Sequence, residues 1–464
     1  MRYVSTRGTA PVLGFQDVLL TGLAGDGGLY LPETWPEWSA EDLRRLAGRP
    51  YADVAFAVMR PFVGDEIPEA DFRRMIDETY ARFDHPAVTP LRQLDANQWL
   101  LELFHGPTLA FKDLAMQLLA RLIDWALEAQ DSHATIIGAT SGDTGGAAVE
   151  AFRGSRRAHL FILHPHGRVS EVQRRQMTTV DEPNVHNIAI QGNFDDCQAL
   201  VKAMFNDRAF RERNRLAGVN SINWARIMAQ TVYYVTAALA LGAPGRPVSF
   251  AVPTGNFGDV FAGWAAKRMG LPIDRLVIAT NVNDILHRTL QTGRYEVTGV
   301  QPTASPSMDI QVSSNFERLL FEATGRDAGE VARLMQGLAQ SGAFTVTAGA
   351  LEGIRAEFSS HRCDEDETSA CIAATWKETG ELLDPHTAVG YAAARNGHGT
   401  APMVTLATAH PAKFPDAVEA ASGVRPMAPA RLAELMDRPE RYDVLPGEFA
   451  GISAYIEANS KPRS

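Results

Sequence analysis

The chain has 464 residues and a formal net charge of -11, and its length exceeds what one hydrophobic core needs, so two or three domains are expected. The acidic balance argues against nucleic acid or an anionic membrane as the main partner, and no stretch approaches the roughly 20 apolar residues of a membrane span. Its three cysteines form no CxxC pair, so we expect a cytoplasmic protein with neither a disulfide framework nor a metal site.

The first 95 residues show the spacing of a small helical extension. A glycine-rich turn at Gly25–Gly28 leads into a short predicted strand. Helices are then predicted over Ala40–Leu46, Tyr51–Val63 and Glu69–Phe83. This part of the chain contains no cluster of chemistry-bearing residues.

The segment Phe104–Asp113 places one lysine in an otherwise apolar, turn-forming run. Gly106-Pro107 breaks the chain, and a helix is predicted from residue 113 to about residue 130. Lys112 therefore stands at the mouth of a helix among apolar side chains. A lysine in such a place loses hydration, which favours the neutral amine that Schiff-base chemistry needs. The alternative is a lysine whose head reaches solvent at a helix start.

Strands and helices alternate in the rest of the chain, which indicates parallel sheets covered by helices. The first set of predicted elements comprises Ala134–Gly138, Gly145–Phe152, His159–His164, Ser170–Met177, Val185–Gln191 and Cys197–Phe205. The second set comprises Ser221–Leu241, Val248–Val252, Phe257–Met269, Leu276–Thr280, Leu382–Asn396 and Pro402–Ala407. The region 320–360 is predicted to be helical, and the chain after Phe414 to form helices and a tail.

These patterns predict four segments. They are an N-terminal extension packing on the large domain (1–95), the lysine segment with its helix (96–130), a small α/β domain (131–215) and a large α/β domain (216–464).

Two glycine-rich loops, Gly138–Gly146 and Pro253–Asp259, each follow a predicted strand and open a helix. In this position free backbone N–H groups and the helix dipole favour an anion. Neither loop fits GxGxxG or GxxxxGK[ST], so a dinucleotide site and a P-loop kinase are poor interpretations. Tight turns also use glycine without binding anything. One such loop could bind a phosphate, the other a carboxylate or a ring oxygen, and the isolated lysine could bind an aldehyde. Together these are the groups that a pyridoxal-phosphate site must bind.

Seven stretches carry a specific resemblance to a known family. They are Phe104–Asp113 (FHGPTLAFKD), Gly138–Gly146 (with ATSGDTG), Asn220–Gln230, Pro253–Asp259, Ser305–Ile310, Asp384–Gly390 and Leu406–Phe414. In these stretches the chain resembles the threonine synthases, which are fold type II pyridoxal-phosphate enzymes (tryptophan synthase β-like). The resemblance implies an α/β fold of two parallel-sheet domains with an N-terminal helical extension. It also implies conversion of O-phospho-L-homoserine and water to L-threonine and phosphate by γ-elimination and β-addition of water.

The resemblance further implies roles for single residues. Lys112 would carry pyridoxal phosphate as a Schiff base, and Thr408 would be a neutral partner for the pyridine nitrogen. The backbone amides expected to cradle the cofactor phosphate belong to Gly255, Asn256, Phe257, Gly258 and Asp259. The residues expected to bind the substrate are Thr140, Ser141, Asp143, Thr144, Ser221, Asn223 and Arg226.

Arg226 is the first candidate for the departing phosphate, because it stands alone in an apolar segment; a structural ion pair is the alternative. Lys413 is a second candidate for that contact.

Two rival functions stay open at this point. One is a related lyase that hydrolyses the intermediate to a 2-oxo acid, and the other is a non-catalytic relative that binds a phosphorylated metabolite. A monomer and a homodimer fit the sequence equally well.

Overall fold

The computed structural model describes residues 1–140, 142–397 and 399–460, and within these residues the chain divides into two compact units. Unit 1 comprises Met1–Val18, Leu23–Phe111 and Ser221–Met427. Unit 2 comprises Leu19–Gly22, Lys112–Asn220 and the segment that begins at Ala428.

The strands are short and lie in both units. They are β1 (Tyr3–Ser5), β2 (Tyr30–Pro32), β3 (Leu91–Gln93), β4 (Gln98–Glu102), β5 (Ala134–Ala139), β6 (Ala158–Pro165), β7 (Val185–Gln191), β8 (Leu216–Ala217), β9 (Val248–Pro253), β10 (Ile273–Thr280), β11 (Arg294–Glu296), β12 (Ala343–Thr345), β13 (Phe358–Arg362), β14 (Met403–Ala407) and β15 (Asp443–Pro446).

Helices make up much of the remaining chain. They are α1 (Phe15–Thr21), α2 (Ala40–Leu46), α3 (Tyr51–Val63), α4 (Glu69–Tyr80), α5 (Lys112–Ala129), α6 (Asp143–Phe152), α7 (Glu171–Thr178), α8 (Phe194–Asn206), α9 (Arg208–Asn214), α10 (Trp224–Ala240), α11 (Gly258–Arg268), α12 (Ile285–Thr292), α13 (Phe316–Ala323), α14 (Ala328–Ser341), α15 (Ala348–Glu357), α16 (Glu365–Thr379), α17 (Pro385–Arg395), α18 (Pro415–Ser422), α19 (Ala430–Leu435) and α20 (Phe449–Asn459). In the described part of the chain, no helix has both the length and the apolar character needed to cross a membrane.

Unit 1 is built, in its described residues, on a six-stranded sheet in the order β13-β10-β9-β14-β4-β3. The strands from β13 to β4 are parallel, and β3 pairs antiparallel with β4 at one edge. Strands β9 and β14 are buried along their whole length, as their continuous apolar sequences indicate. Because these two neighbours run in the same direction, the loops that follow Pro253 and Ala407 meet at the same edge of the sheet.

Unit 2 contains, among its described residues, a five-stranded parallel sheet in the order β15-β7-β6-β5-β8. Helices α7 and α8 of this unit begin with side-chain caps. Asn193 and Asp196 form a reciprocal capping box at α8, and Ser170 caps α7 by accepting a bond from the amide of Gln173.

The local predictions agree with the structure where the apolar periodicity is strong. Helices α2 and α3 and strand β7 have the predicted bounds. The prediction of a purely helical region over 320–360 was wrong, since β12 and β13 also form there. Strand β13 reads FSSHR, a polar sequence whose strand structure comes from its parallel pairing with β10.

The C-terminal segment differs from the prediction as well. It contains strand β15, which extends the sheet of unit 2 next to β7. The segment from Ala428 therefore belongs to unit 2, whereas the sequence predicted it as part of the large α/β domain (216–464). The cause is tertiary: Ile452 and Ile456 of α20 pack into the apolar core of unit 2 with Phe161 and Ile188.

We predict that Ile456→Ala lowers the free energy of unfolding by about 2–5 kcal/mol, because it removes buried methyl groups and leaves a cavity. Urea unfolding followed by circular dichroism measures this as a lower midpoint. Met427→Ala is the control, since that side chain is 88% exposed and its loss should leave the midpoint unchanged. Equal midpoints for Ile456→Ala and the wild type would contradict the packing of α20 described here.

Candidate active site

Lys112 is the first residue of α5, and its relative exposure is 8%. The alternative of a lysine head in solvent is therefore wrong. Its Nζ lies 3.6 Å from Asp143 Oδ2, and Asp143 Oδ1 accepts a hydrogen bond of 3.0 Å from Gln173 Nε2. Lysine and carboxylate are both buried in unit 2, so the carboxylate offsets part of the cost of burying an ammonium.

The conformation of the loop from Gly138 to Gly146 is stabilised by hydrogen bonds to a hydroxyl within the loop. Thr140 Oγ1 accepts hydrogen bonds of 2.9 Å from the amides of both Gly142 and Gly145. A Cβ at Gly145 would lie 2.5 Å from Met177 Sδ, so glycine is needed for this close packing. The geometry gives Thr140 a role in shaping the loop, and its predicted contact with substrate stays a prediction.

Thr144 and Ser141 of the same loop were also predicted to bind substrate. Thr144 is half-buried in the first turn of α6. Ser141 lies outside the described residues.

The Pro253–Asp259 loop connects β9 to α11 in unit 1. The carbonyl of Gly255 accepts a bond from the Ser313 hydroxyl, and the carbonyl of Asn256 accepts bonds from the amide (3.0 Å) and Nδ2 (3.1 Å) of Asn315. In a trans peptide the carbonyl of one residue and the amide of the next point in opposite directions. The amides of Asn256 and Phe257 therefore face away from Ser313 and Asn315.

These amides fit a phosphate group. Within the residues that the structure describes, the amides of Asn256, Phe257 and Gly258 donate no hydrogen bond to the protein. They lie at the N-terminus of the 11-residue helix α11, where the dipole favours an anion. On the opposite side the loop is closely packed, since a Cβ at Gly255 would lie 2.9 Å from the carbonyl oxygen of Ser307.

Phe257 holds this loop in an unusual conformation. Its φ is +65°, in the left-handed region that costs a residue with a Cβ about 1–2 kcal/mol. The ring is buried and packs against Phe316 and Phe358, with centroid distances of 5.3 and 5.9 Å. This packing offsets the backbone strain, which is concentrated at the residue whose amide faces the anion side.

The carboxylate of Asp259 is hydrogen-bonded to side chains of unit 1. Oδ1 accepts hydrogen bonds from the hydroxyls of Tyr233 (2.5 Å) and Tyr234 (2.8 Å). Burial and the nearby carboxylate hold the pKa of both tyrosines well above the usual value. The structure thus gives the Asp259 side chain an anchoring role for α11, and the predicted contact with the cofactor phosphate is left to its amide.

The predicted pyridine partner, Thr408, directly follows β14. Its carbonyl accepts a 2.8 Å bond from the amide of Phe111, and its amide donates a 3.2 Å bond to Thr387 Oγ1. Thr387 is in turn held by Asp384, the N-cap of α17. The backbone of Thr408 is fixed from both sides, at the same sheet edge as the Pro253–Asp259 loop.

The segment Ser221–Arg226 opens α10 in unit 1. Asn223 caps this helix by accepting a 3.0 Å bond from the amide of Ala225. Arg226 lies in the first helical turn, and desolvation lowers its pKa to about 10. Burial and the positive end of a helix dipole both disfavour a cation at this position.

In each unit, sequence reasoning missed residues that hold the predicted site residues in place. Gln173 orients Asp143, Tyr233 and Tyr234 hold Asp259, and Asn315 holds the Pro253–Asp259 loop. The sequence around Gln173, EVQRRQMT, is largely polar and gave no local signal of its contact with Asp143. Lys413, considered for the departing phosphate, donates a 2.8 Å bond to the carbonyl of Thr108.

Comparisons with known proteins cover nearly the whole chain. Residues 2–80 match the family described as threonine synthase N terminus, residues 83–361 the pyridoxal-phosphate dependent enzymes, and residues 387–456 the family described as threonine synthase, C-terminal. The threonine synthase of Pseudomonas aeruginosa is 56% identical, covering 98% of each chain.

The chain belongs to the threonine synthase family. The crystal structure of a threonine synthase from Brucella melitensis with pyridoxal phosphate bound is 62% identical, covers 99% of this chain and 100% of that one, and has a TM-score of 0.98. The yeast threonine synthase has a TM-score of 0.94 at 40% identity, over 99% and 98% of the two chains. The predicted fold type II architecture and the predicted pyridoxal-phosphate-dependent lyase of this family are thereby confirmed.

We predict a pH effect from His410, which lies two residues after Thr408. Burial lowers the pKa of His410 to about 4, below the value of about 6.5 in an unfolded chain. The unfolded chain therefore binds more protons between these values, and stability falls as the pH falls from 6.5 to 4, by on the order of 2–3 kcal/mol.

His410→Asn tests this by urea unfolding at several pH values. Asparagine can keep the acceptor that His410 Nδ1 offers to the amide of Ala412 at 3.1 Å, but it does not titrate. The variant should lose less stability than the wild type below pH 6.5. Parallel curves for the two proteins would contradict the assignment.

Proposed function

We propose that this chain converts O-phospho-L-homoserine and water to L-threonine and phosphate, with Lys112 as the residue that carries pyridoxal phosphate. The observation that supports this most directly is the buried Lys112 amine, 3.6 Å from the Asp143 carboxylate, within the FHGPTLAFKD stretch. A protein that only bound a phosphorylated metabolite would have no use for such an amine.

Two sets of groups would hold the cofactor. Lys112 would bind its aldehyde, and the amides of Asn256, Phe257 and Gly258 would bind its phosphate at the N-terminus of α11. The Thr408 hydroxyl, on a backbone fixed from both sides, would meet the pyridine nitrogen as a neutral partner. When bound, pyridoxal phosphate supplies an electron sink for negative charge that develops on the substrate carbons.

The Lys112 amine would move protons during the reaction. When it is not bonded to the cofactor, Nζ can accept the proton from the α-carbon and then from the β-carbon. The Asp143 carboxylate stabilises the resulting ammonium, which favours its formation at a buried position. Overall, the bond between the γ-carbon and the phosphate oxygen breaks, and the hydroxyl of water bonds to the β-carbon while its other proton goes to the phosphate. The proton lost from the β-carbon is balanced by one gained at the γ-carbon, which becomes a methyl group, and the α-carbon regains its proton.

The segment that opens α10 would bind the substrate phosphate. Arg226 is a buried cation at a helix N-terminus, and Ser221 and Asn223 lie within five residues of it. A fixed positive charge in a dry site stabilises the departing phosphate more strongly than the same charge in water. Thr140, Ser141 and Thr144 are proposed to bind the substrate carboxylate.

Further proposals rest on the sequence alone. The cysteine usage supports a cytoplasmic location, and a monomer or a homodimer would serve the reaction equally. The proposed partner is the small-molecule substrate, and the net charge of -11 supports a protein that does not bind nucleic acid.

We predict that Lys112→Ala removes the visible absorbance of the bound cofactor and the formation of both products. Wild type incubated with O-phospho-L-homoserine should release threonine and phosphate in equal amounts, measured by chromatography and a phosphate assay. Lys267→Ala, which removes a partly exposed lysine paired with Glu357, is the control and should keep both properties. Phosphate release at the wild-type rate from Lys112→Ala would rule out this role, and 2-oxobutanoate as the main product would favour the related lyase.

Arg226→Gln should raise the KM for O-phospho-L-homoserine at least about tenfold, because it removes a charge-assisted contact worth roughly 1.5–3 kcal/mol. Inhibition by inorganic phosphate should weaken in parallel. Steady-state kinetics measure both effects, with Arg208→Gln as the control, since that arginine is exposed on α9. An unchanged KM, with only the thermal stability reduced, would assign Arg226 to the alternative of a structural ion pair.

A further inference from the structure

We infer that Asn315 is a positioning residue that holds two parts of the site, the Pro253–Asp259 loop and the segment Ser221–Asn223, in one fixed arrangement. This inference rests on the proposed function, since it assigns a cofactor contact to the first part and a substrate contact to the second. All the contacts involved lie within unit 1.

Asn315 is fully buried just before α13. Its Nδ2 donates to the carbonyl of Asn256 at 3.1 Å and to the carbonyl of Ser221 at 3.2 Å. Its Oδ1 accepts a bond from Arg318 Nη1. The side chain therefore uses both donors and its acceptor at once, which among side chains of this size only an amide can do.

Each of these bonds fixes the direction of a peptide group. With the Asn256 carbonyl turned towards Asn315, the amide of Phe257 faces the anion side of its loop. With the Ser221 carbonyl turned the same way, the amide of Ile222 faces away from Asn315 as well. Glycine at position 258 allows the approach, since a Cβ there would lie 3.3 Å from Asn315 Nδ2.

The network continues from Asn315 to the N-terminal extension. Arg318 donates to the carbonyl of Tyr30 through Nε (3.0 Å) and Nη2 (2.8 Å), and to the carbonyl of Ile222 through Nη2 (2.6 Å). It is fully buried, and desolvation lowers its pKa to about 9. Strand β2, which contains Tyr30, thus anchors Arg318, and Arg318 orients the Asn315 amide. This gives residues of the extension a mechanical connection to both loops.

The test is the variant Asn315→Asp. Aspartate has the shape of asparagine and keeps the acceptor for Arg318, but it replaces the Nδ2 donor with an oxygen that cannot donate to the carbonyls of Asn256 and Ser221. The apo form of the full chain is titrated with pyridoxal phosphate and, separately, with pyridoxal, which lacks the phosphate. The absorbance of the bound cofactor reports both affinities. We expect the affinity for pyridoxal phosphate to fall about tenfold or more, while the affinity for pyridoxal changes less than about twofold.

The control is Asn184→Asp in unit 2. Asn184 is also buried, and its Nδ2 donates to two carbonyls, those of Phe152 (2.8 Å) and Ala158 (2.9 Å). Its substitution should lower the stability by a comparable amount but leave the ratio of the two affinities at the wild-type value. The KM for O-phospho-L-homoserine should rise in the Asn315 variant and not in the control.

An unchanged ratio of affinities in Asn315→Asp would overturn the inference, even if its stability falls. Should that variant not fold, the same ratio is measured in Asn315→Ser, which retains one donor; a fall of about threefold or more supports the inference and an unchanged ratio overturns it. Failure of the wild type to bind pyridoxal phosphate at all would instead reject the proposed function. The two proposals therefore fail through different observations.

Discussion

A row of backbone amides can face an anion only if the carbonyls of the same peptides are bound on the other side. In unit 1 this constraint is met by a short polar segment before α13. Ser313 binds the carbonyl of Gly255, and Asn315 binds the carbonyl of Asn256. The direction of these amides is thus determined by side chains on the opposite side of the loop, and Arg318 links one of them, Asn315, to the N-terminal extension.

Within each unit, buried charged groups are compensated by neighbouring side chains. The Lys112 amine is buried next to the Asp143 carboxylate, and the Asp259 carboxylate is stabilised by two tyrosine hydroxyls. Arg226 is also buried, in the first turn of α10, where desolvation lowers its pKa to about 10. Buried charged groups with a shifted pKa are typical of binding sites.

The sheet of unit 1 brings distant parts of the sequence together. Strands β9 and β14 are separated by about 150 residues, yet they are parallel neighbours. Their carboxyl ends therefore place the Pro253–Asp259 loop and Thr408 at one edge, which is where open α/β sheets bind their ligands. Hydrogen bonds with Phe111 and Thr387 hold the backbone of Thr408 in one orientation. A residue held in this way suits a directional hydrogen bond from its neutral hydroxyl.

The sequence by itself determined the features that depend on near neighbours. Helices α2 and α3 could be bounded from their periodicity, and Lys112 could be singled out because a lysine in an apolar turn before a helix is visible locally. Only the tertiary structure decided the contacts of Asp143 with Gln173, of Asn315 with two separate carbonyls, and of α20 with the core of unit 2. The physical reason is that hydrogen bonding and burial at these positions depend on residues from 30 to about 300 positions away, and local sequence patterns contain no information on which distant groups will meet.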